Sequence, residues 1–311
     1  AEWEPKLATF LDEISLDPAL FARNKAVYDN RANLGLNAQQ MRIVERSYDD
    51  YVRNGSALNP AQKAQLTAIN TELAGLFAEF GSKLLADEQT YTVVTNEAEL
   101  AGLEPAFKAS LAEAAAASGH PGAWAIKNTR SSAQPVMQYA SNRALRERVW
   151  RAFTSRGDNG NANDTKGTIA RILRLRQDRA VLLGFRTHAN YRMADTMAQT
   201  PEHAMDLMMR VWRPAVARVR EEVADMQAIA NRESAANRTA RITIEPWDYR
   251  YYAEKVRKDR YDLSEEEVKP YLQLDNLVNA MFWAAGQNYD LGFRETTGTI
   301  SVFDPAVRTF E

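Results

Sequence analysis

The chain has 311 residues, of which 45% are hydrophobic and 26% are charged, and none is cysteine. This composition is typical of a globular protein with a buried core, and it excludes disulfides, thiolate metal sites and cysteine nucleophiles. The 39 basic and 41 acidic residues give a formal charge of −2, which argues against nucleic acid as a partner because phosphate binding needs surplus positive charge. No membrane segment is expected, since the longest uncharged run, residues 276–289, is shorter than the about 20 apolar residues of a span.

Most of the chain is predicted to be helical. Glycine and proline number only 14 and 11, and the stretches between them are rich in Ala, Leu, Arg, Glu and Gln, which are strong helix formers. The fold class is therefore predicted to be mainly α. The predicted helices cover residues 5–13, 18–33, 38–54, 60–87, 104–118, 142–153, 165–183, 201–229 and 248–258.

The clearest helix starts after Asn59. This residue can cap the helix, Pro60 loses no useful N–H at the first position, and Gln62 can reach back to the cap. At 1.5 Å per residue, a helix that ends at residue 87 is about 40 Å long, which predicts an elongated, bundle-like body. Its apolar residues recur every three or four positions and form one stripe: Leu66, Ile69, Leu73, Leu76, Phe77, Phe80 and Leu84.

Two further helix starts are legible. The Thr-Pro-Glu sequence at residues 200–202 combines a capping residue, a proline and a first-turn acid. Pro214 is expected to kink the helix that follows. An S-x-x-E capping box at residues 264–267 marks the second start. The apolar stripe of the first of these helices consists of Met208, Trp212, Val216, Val219, Val223, Met226 and Ile229.

The last stretch, residues 289–311, changes in character. Two short strands are predicted there, and a pair that stops at Glu311 would leave an edge of unpaired backbone groups. We therefore expect the polypeptide to continue further. The residues that favour strands are Thr297, Thr299, Ile300, Val302, Val307 and Phe310.

The motifs of the common catalytic classes are missing from this sequence. Zinc hydrolysis by H-E-x-x-H needs two imidazoles one helical turn apart, whereas His120, His188 and His203 are widely separated and are expected to be surface or capping residues. The G-x-S-x-G elbow and both glycine-rich phosphate motifs are absent. Residues 158–164 lack the glycine and the glutamate of a calcium loop, which favours an ordinary polar loop.

Two rows of arginines mark candidate basic helix faces. At helical spacing each row lies along one side and could bind nucleic acid or an acidic peptide. The overall charge balance favours a solvated or salt-bridged face instead. The rows are Arg143, Arg146, Arg148 and Arg151, and Arg171, Arg174, Arg176 and Arg179.

An aromatic segment at residues 245–252 is the most unusual feature of the sequence. Trp247, Tyr251 and Tyr252 could line a groove, because each offers a large apolar face with a polar atom. The competing interpretation, which we favour, is core packing at a domain junction.

The same segment carries a resemblance to a known family. Trp247-Asp248 followed by Tyr251-Tyr252 resembles the W-D-x-x-[FY]-Y segment of the thimet oligopeptidase-like zinc metallopeptidases. Other segments of the chain also match the family, and their order and spacing make the resemblance specific over nearly the whole chain. These segments are residues 20–23, 161–165, 182–185, 197–202, 253–257 and 269–271.

The resemblance implies an elongated multi-helix body of a two-lobed zincin-type peptidase with a deep channel and a short β segment near the C-terminal end of this chain. It also implies an enzyme that releases C-terminal dipeptides from short peptides, or cleaves within them. The family uses one zinc ion, held by H-E-x-x-H and a later glutamate.

The departure from the family pattern sets the expectations for this chain. Residues 1–288 match the helical region without the zinc motif, residues 289–311 match the start of a β segment that leads into the catalytic region, and both family termini are missing. No catalytic or metal-binding residue can therefore be assigned to any position, and the substrate-binding residues are unknown. This chain alone is expected to be inactive and to hold no catalytic zinc, and a C-terminal catalytic piece of the same protein is an expected partner.

A second interpretation stays open beside the peptidase. The same aromatic segment and the arginine faces fit a non-catalytic helical module that binds peptides or a protein. The resemblance favours a cytoplasmic location, with the periplasm as the alternative if a missing N-terminus carried an export signal.

Overall fold

The computed structural model describes residues 2–261 and 268–311. Within them lie twelve α-helices and one small sheet, so the prediction of a mainly α fold is confirmed. The elements are α1 (Trp3–Ser15), α2 (Pro18–Asp29), α3 (Ala38–Arg53), α4 (Pro60–Glu88), β1 (Tyr91–Val94), α5 (Pro105–Ala117), β2 (Trp124–Lys127), α6 (Arg130–Tyr139), α7 (Arg143–Thr154), α8 (Lys166–Leu182), α9 (His188–Met193), α10 (Pro201–Ala236), α11 (Tyr249–Tyr261) and α12 (Leu274–Tyr289).

The chain divides into two compact units, Ala1–Ala253 and Glu254–Glu311. The division into residues 1–288 and 289–311 was inferred from the family and stays a prediction. Over the part of the chain that the structure describes, no helix is long and apolar enough to cross a membrane.

Helix α4 begins as its sequence predicts. The Asn59 side chain accepts a hydrogen bond from the Gln62 backbone N–H at 2.9 Å, and the Gln62 side chain accepts one from the Asn59 N–H at 3.1 Å. This reciprocal pair satisfies two of the N–H groups that a helix start leaves free. The helix then packs against α1 and α8, and Ile69 and Leu73 form a small core with Ile172 and Leu175 of α8.

The larger core surrounds the two-stranded sheet. β1 pairs antiparallel with β2, with Tyr91 opposite Lys127 and Val94 opposite Trp124. Helices α5, α6 and α7 cover the sheet, and the core residues they contribute include Leu111, Val136 and Leu145, which are fully or nearly fully buried. This arrangement places the start of α7 next to a rigid core.

The unit Glu254–Glu311 contains α12, and the prediction of two short strands in residues 289–311 is wrong, because no strand forms among those residues. In the described residues of this unit, extended pairing is limited to one antiparallel bridge between Glu295 and Phe310, flanked by hydrogen bonds in both directions between the backbones of Arg294 and Glu311. The ring of Phe282 in α12 stacks on Phe293 at 4.3 Å between centroids and meets the edge of Phe310 at 4.8 Å. Aromatic packing therefore holds the bridged segment against α12.

In the part of the chain that the structure describes, the observed helices agree with most of those predicted, and three were not predicted: α6, α9 and α12. Helix α10 continues through Pro214 to Ala236, well past the predicted end at residue 229. Its N-cap is Thr200, whose side chain accepts from the His203 N–H at 3.2 Å. The capping box predicted at residues 264–267 lies outside the described residues.

Gly102 is expected to be intolerant of any side chain. Its φ of +92° is left-handed, and a Cβ there would lie 2.3 Å from the backbone oxygen of Tyr139. We expect Gly102→Ala to lower the free energy of unfolding by about 2–3 kcal/mol, because the strained backbone costs about 1–2 kcal/mol and the carbonyl must also move. Chemical denaturation followed by circular dichroism measures this.

Gly119→Ala is the matched control. Gly119 has a φ of +83° but no atom within 4 Å of the added Cβ, so only the backbone strain of about 1 kcal/mol should appear. Equal losses in both variants would contradict the predicted contact with Tyr139.

Candidate functional site

The predicted aromatic segment centres on a buried carboxylate. Asp248 is 0% exposed, and its two oxygens accept hydrogen bonds from two arginines of α7. Arg143 donates through Nε at 3.0 and 3.1 Å and through Nη2 at 2.8 Å, and Arg146 donates through Nη2 at 2.8 Å. The backbone N–H of Glu245 adds a fifth contact at 3.2 Å. The carboxylate therefore ties the start of α11 to α7.

Arg146 is the buried cation of this pair, with a residue exposure of 1%. Its Nη1 donates to the carbonyl oxygens of Ala140 at 2.8 Å and Ser141 at 3.1 Å, so the guanidinium also holds the loop before α7. The ring of Tyr251 covers it, with 4.0 Å between the guanidinium carbon and the ring centroid. Among the described residues its Nε has no hydrogen-bond partner.

The electrostatics agree with an ion pair. Burial raises the pKa of Asp248, but the hydrogen bonds from Arg143 and Arg146 outweigh it, and the pKa stays below its usual value. The same hydrogen bonds raise the pKa of Arg143. Asp248 is therefore ionised at neutral pH and is a fixed structural charge.

The aromatic rings surround this pair instead of lining a groove. Trp247 meets Trp150 edge to face at 5.7 Å and lies under the guanidinium of Arg151 at 5.1 Å. Tyr252 is 6% exposed and meets Tyr251 edge to face at 5.1 Å. These contacts support the interpretation of the segment as core packing.

The first arginine row becomes a salt-bridged face. Arg143 and Arg146 bind Asp248, as described, while Arg148 pairs with Glu99 at 3.2 Å and Arg151 with Glu147 at 2.7 Å. All four arginines of the row are therefore paired with carboxylates of the same chain.

The second row, on α8, is mixed. Arg171 pairs with Glu72 of α4 at 2.6 Å, and Arg176 lies over the ring of Phe77 at 5.1 Å. Arg179 is more deeply placed: it donates to Asn70 at 3.1 Å, and burial lowers its pKa. Three of the four arginines of this row are thus engaged within the protein, by a salt bridge, a ring contact and a hydrogen bond.

The three histidines do not converge. His120 lies 6.2 Å from the ring of Tyr91, His188 has a buried Nδ1, and the Nδ1 of His203 is 2.9 Å from the carbonyl oxygen of Ala198. Burial, followed by repulsion from Arg176, lowers the pKa of His188. Within residues 2–261 and 268–311, no three His, Cys, Asp or Glu side chains are placed to hold a metal ion.

The polar loop at residues 158–164 is organised by a residue that the sequence did not single out. Asp87, at the end of α4, is 2% exposed and accepts from the Gly157 N–H at 2.7 Å and from the Asn159 and Asn163 amides at 3.0 and 2.8 Å. The carboxylate of Asp164 accepts a hydrogen bond from the Lys166 side chain, and this contact lowers the pKa of Asp164 to about 2. The loop is thus held by internal hydrogen bonds.

One open cavity of about 440 Å³ lies between the end of α1 and the exposed side of α3. Ile14, Ile43 and Tyr51 give it apolar walls, and Arg46 and Asp50 supply opposite charges. Arg46 is already paired with Asp195. The mixed lining therefore does not specify a ligand.

The family model of Peptidase family M3 matches residues 136–311, which is more than half of the chain and includes the whole Asp248 network. The chain belongs to this family. The resemblance noted in the sequence is thereby confirmed.

Individual members of peptidase family M3 match over nearly the full chain. Dipeptidyl carboxypeptidase of Escherichia coli (strain K12) is 36% identical over 312 residues, covering 100% of this chain and 45% of the relative. Probable cytosolic oligopeptidase A of Arabidopsis thaliana is 31% identical over 320 residues, covering 99% and 44%. Oligopeptidase A of Escherichia coli (strain K12) is 28% identical over 312 residues, covering 99% and 45%. The chain thus spans less than half the length of these relatives.

Proposed function

We propose that this chain is part of a zinc-dependent peptidase that releases C-terminal dipeptides from short peptides, or cleaves within them. The observation that carries the proposal is the 36% identity to dipeptidyl carboxypeptidase, which extends over the complete chain. The oligopeptidases among the relatives support cleavage within peptides as the second mode. Short peptides are accordingly the proposed substrates.

Within that enzyme, this chain supplies scaffold, including part of the channel wall. The buried Asp248–Arg146 pair supports the scaffold role, because its ion pair, with 2.8 Å between Nη2 and Oδ1, fixes the start of α11 against α7. The residues that the structure describes do not fit a zinc ion: the histidines lie in three different surroundings, and in the sequence none has a second imidazole at helical spacing. We therefore place the single zinc ion in a C-terminal catalytic piece of the same protein.

Metal analysis combined with a dipeptide-release assay tests the proposal. The 311-residue chain and the complete product of its gene are each purified, incubated with an unstructured hexapeptide, and examined by mass spectrometry for a released dipeptide. We expect one zinc ion and dipeptide release in the complete product, and neither in the 311-residue chain. Stoichiometric zinc in an active 311-residue chain would refute the assignment of the metal to another segment.

The alternative, a non-catalytic helical binding module, has a distinct outcome in the same assay. It predicts that the complete product binds the hexapeptide without zinc and without cleavage. The cytoplasm is the proposed location, supported by the relative named cytosolic oligopeptidase A, and the periplasm is the alternative.

A further inference from the structure

Helix α10 carries an apolar stripe along its whole length. Its members are separated by three or four positions, so they share one helix face. Compared with the stripe predicted from the sequence, it starts one turn earlier, at Met205, and its last member is Ala230, next to the predicted Ile229: Met205, Met208, Trp212, Val216, Val219, Val223, Met226 and Ala230.

Only the C-terminal end of this stripe is covered. Met226 and Ala230 are 2% and 1% exposed, whereas Met205, Met208 and Trp212 are 54%, 53% and 63% exposed. Beside this buried end, Gln227 donates to the Ile242 carbonyl oxygen at 2.7 Å, so the segment after α10 runs next to it. A core face that is buried at one end therefore continues into solvent at the other.

The opposite side of the same helix carries ion pairs along its exposed part, with Leu207 and Val211 exposed beside them at 56% and 59%. Arg210 pairs with Asp206 at 3.3 Å, and Arg218 pairs with Glu221 at 2.8 Å. The ion-paired positions are suited to water, whereas the apolar stripe runs from Met205 to Ala230 without a charged member. Contiguous apolar surface of this kind marks an interaction site.

We propose that the exposed half of this stripe, Met205 to Val219, is covered in the complete protein by an apolar segment of the same polypeptide from outside residues 1–311. The inference rests on the proposed function, in which this chain is part of a longer peptidase. More than half of each relative lies outside the matched region, which provides enough polypeptide to cover the face. The continuity with the buried end favours an extension of the same core.

A bound peptide is a poorer occupant of this face. An extended peptide brings backbone N–H and C=O groups that need hydrogen-bond partners when buried. Met205, Met208 and Val219 offer none, and the backbone groups of α10 are engaged within the helix. A folded segment that satisfies its own backbone groups can cover the stripe without that cost.

Cysteine labelling tests the proposal, because the chain contains no cysteine of its own. Single variants Met208→Cys, Arg210→Cys and Met226→Cys are made in the 311-residue chain and in the complete gene product, with any further cysteines of the latter replaced by serine. The rate of reaction with a small maleimide is measured for each. Met226 reports the buried end, and the exposed Arg210 reports the opposite face.

In the 311-residue chain the thiol at position 208 should react as fast as that at position 210. In the complete product the thiol at position 208 should react at least about 100-fold more slowly, because a packed thiol reacts only when its cover opens locally. Position 210 should stay reactive and position 226 protected in both proteins. Equal rates at position 208 in the two proteins would overturn the proposal.

Two other results would also overturn it by naming a different occupant. Protection that appears in the 311-residue chain as its concentration rises, together with a doubled mass by light scattering, would indicate a second copy. Protection of the complete product only after the hexapeptide is added would indicate substrate. Dipeptide release is measured on the same samples, so protection without activity counts against the proposed function alone, and activity without protection counts against this inference alone.

Discussion

Replacing Asp248 by asparagine should lower the free energy of unfolding of the 311-residue chain by about 3–5 kcal/mol, because it leaves the buried guanidinium of Arg146 without a counter-charge. Arg146 is 1% exposed and cannot turn to water, and its Nη2 would face an amide in place of a carboxylate 2.8 Å away. Urea unfolding at pH 7, followed by far-ultraviolet circular dichroism, measures the loss.

Asp158→Asn serves as the matched control for charge removal. Asp158 forms an ion pair with Lys166 in which both side chains are largely exposed, so its loss should cost less than about 1 kcal/mol. Adding Arg146→Met to Asp248→Asn should recover part of the stability, because the unpaired cation is then removed as well. A loss below 1 kcal/mol for Asp248→Asn would show that the pair does not hold α11 to α7.

The helices that sequence patterns revealed are those with local start signals. The Asn59–Gln62 capping box and the Thr200 cap each involve residues only three positions apart in the sequence, and both form as predicted. Helix α6 has no such signal and carries Pro135 in its interior, yet Val136 and Met137 are buried in the main core. In α6, tertiary burial outweighs the weak local helix propensity. A single sequence does not show which residues will be buried, so this helix was not predicted.

Only one side of the candidate site, the aromatic segment around Asp248, could be predicted from the sequence. Trp247-Asp248 stood out by composition, whereas its partners Arg143 and Arg146 lie about a hundred positions earlier and were interpreted only as a solvated or salt-bridged face. Nothing in the spacing distinguishes buried Arg146 from its exposed neighbour Arg148, because burial depends on what packs against α7. Long-range pairing of this kind becomes visible only in three dimensions.

Asp87→Asn should lower the free energy of unfolding by about 3 kcal/mol at pH 7. Three donors, from Gly157, Asn159 and Asn163, converge on the two oxygens of this buried carboxylate. An amide in its place turns one acceptor into a donor, and hydrogen bonds to charged groups contribute about 1.5–3 kcal/mol each without adding fully. Asp29→Asn, which breaks an exposed pair with Lys25, should cost less than about 1 kcal/mol.

The pH dependence separates the charge of Asp87 from simple packing. The hydrogen bond from the Gly157 N–H is the main cause that lowers the pKa of Asp87 in the folded protein. A carboxyl group with a lowered folded pKa contributes its stability fully above its unfolded pKa of about 4 and loses it as the pH falls through the folded value. The difference in stability between the wild-type chain and Asp87→Asn should therefore be constant from pH 8 to about pH 5 and should shrink below about pH 4. A difference that stays the same down to the lowest pH at which the chain folds would mean that Asp87 acts through its shape and not through its charge.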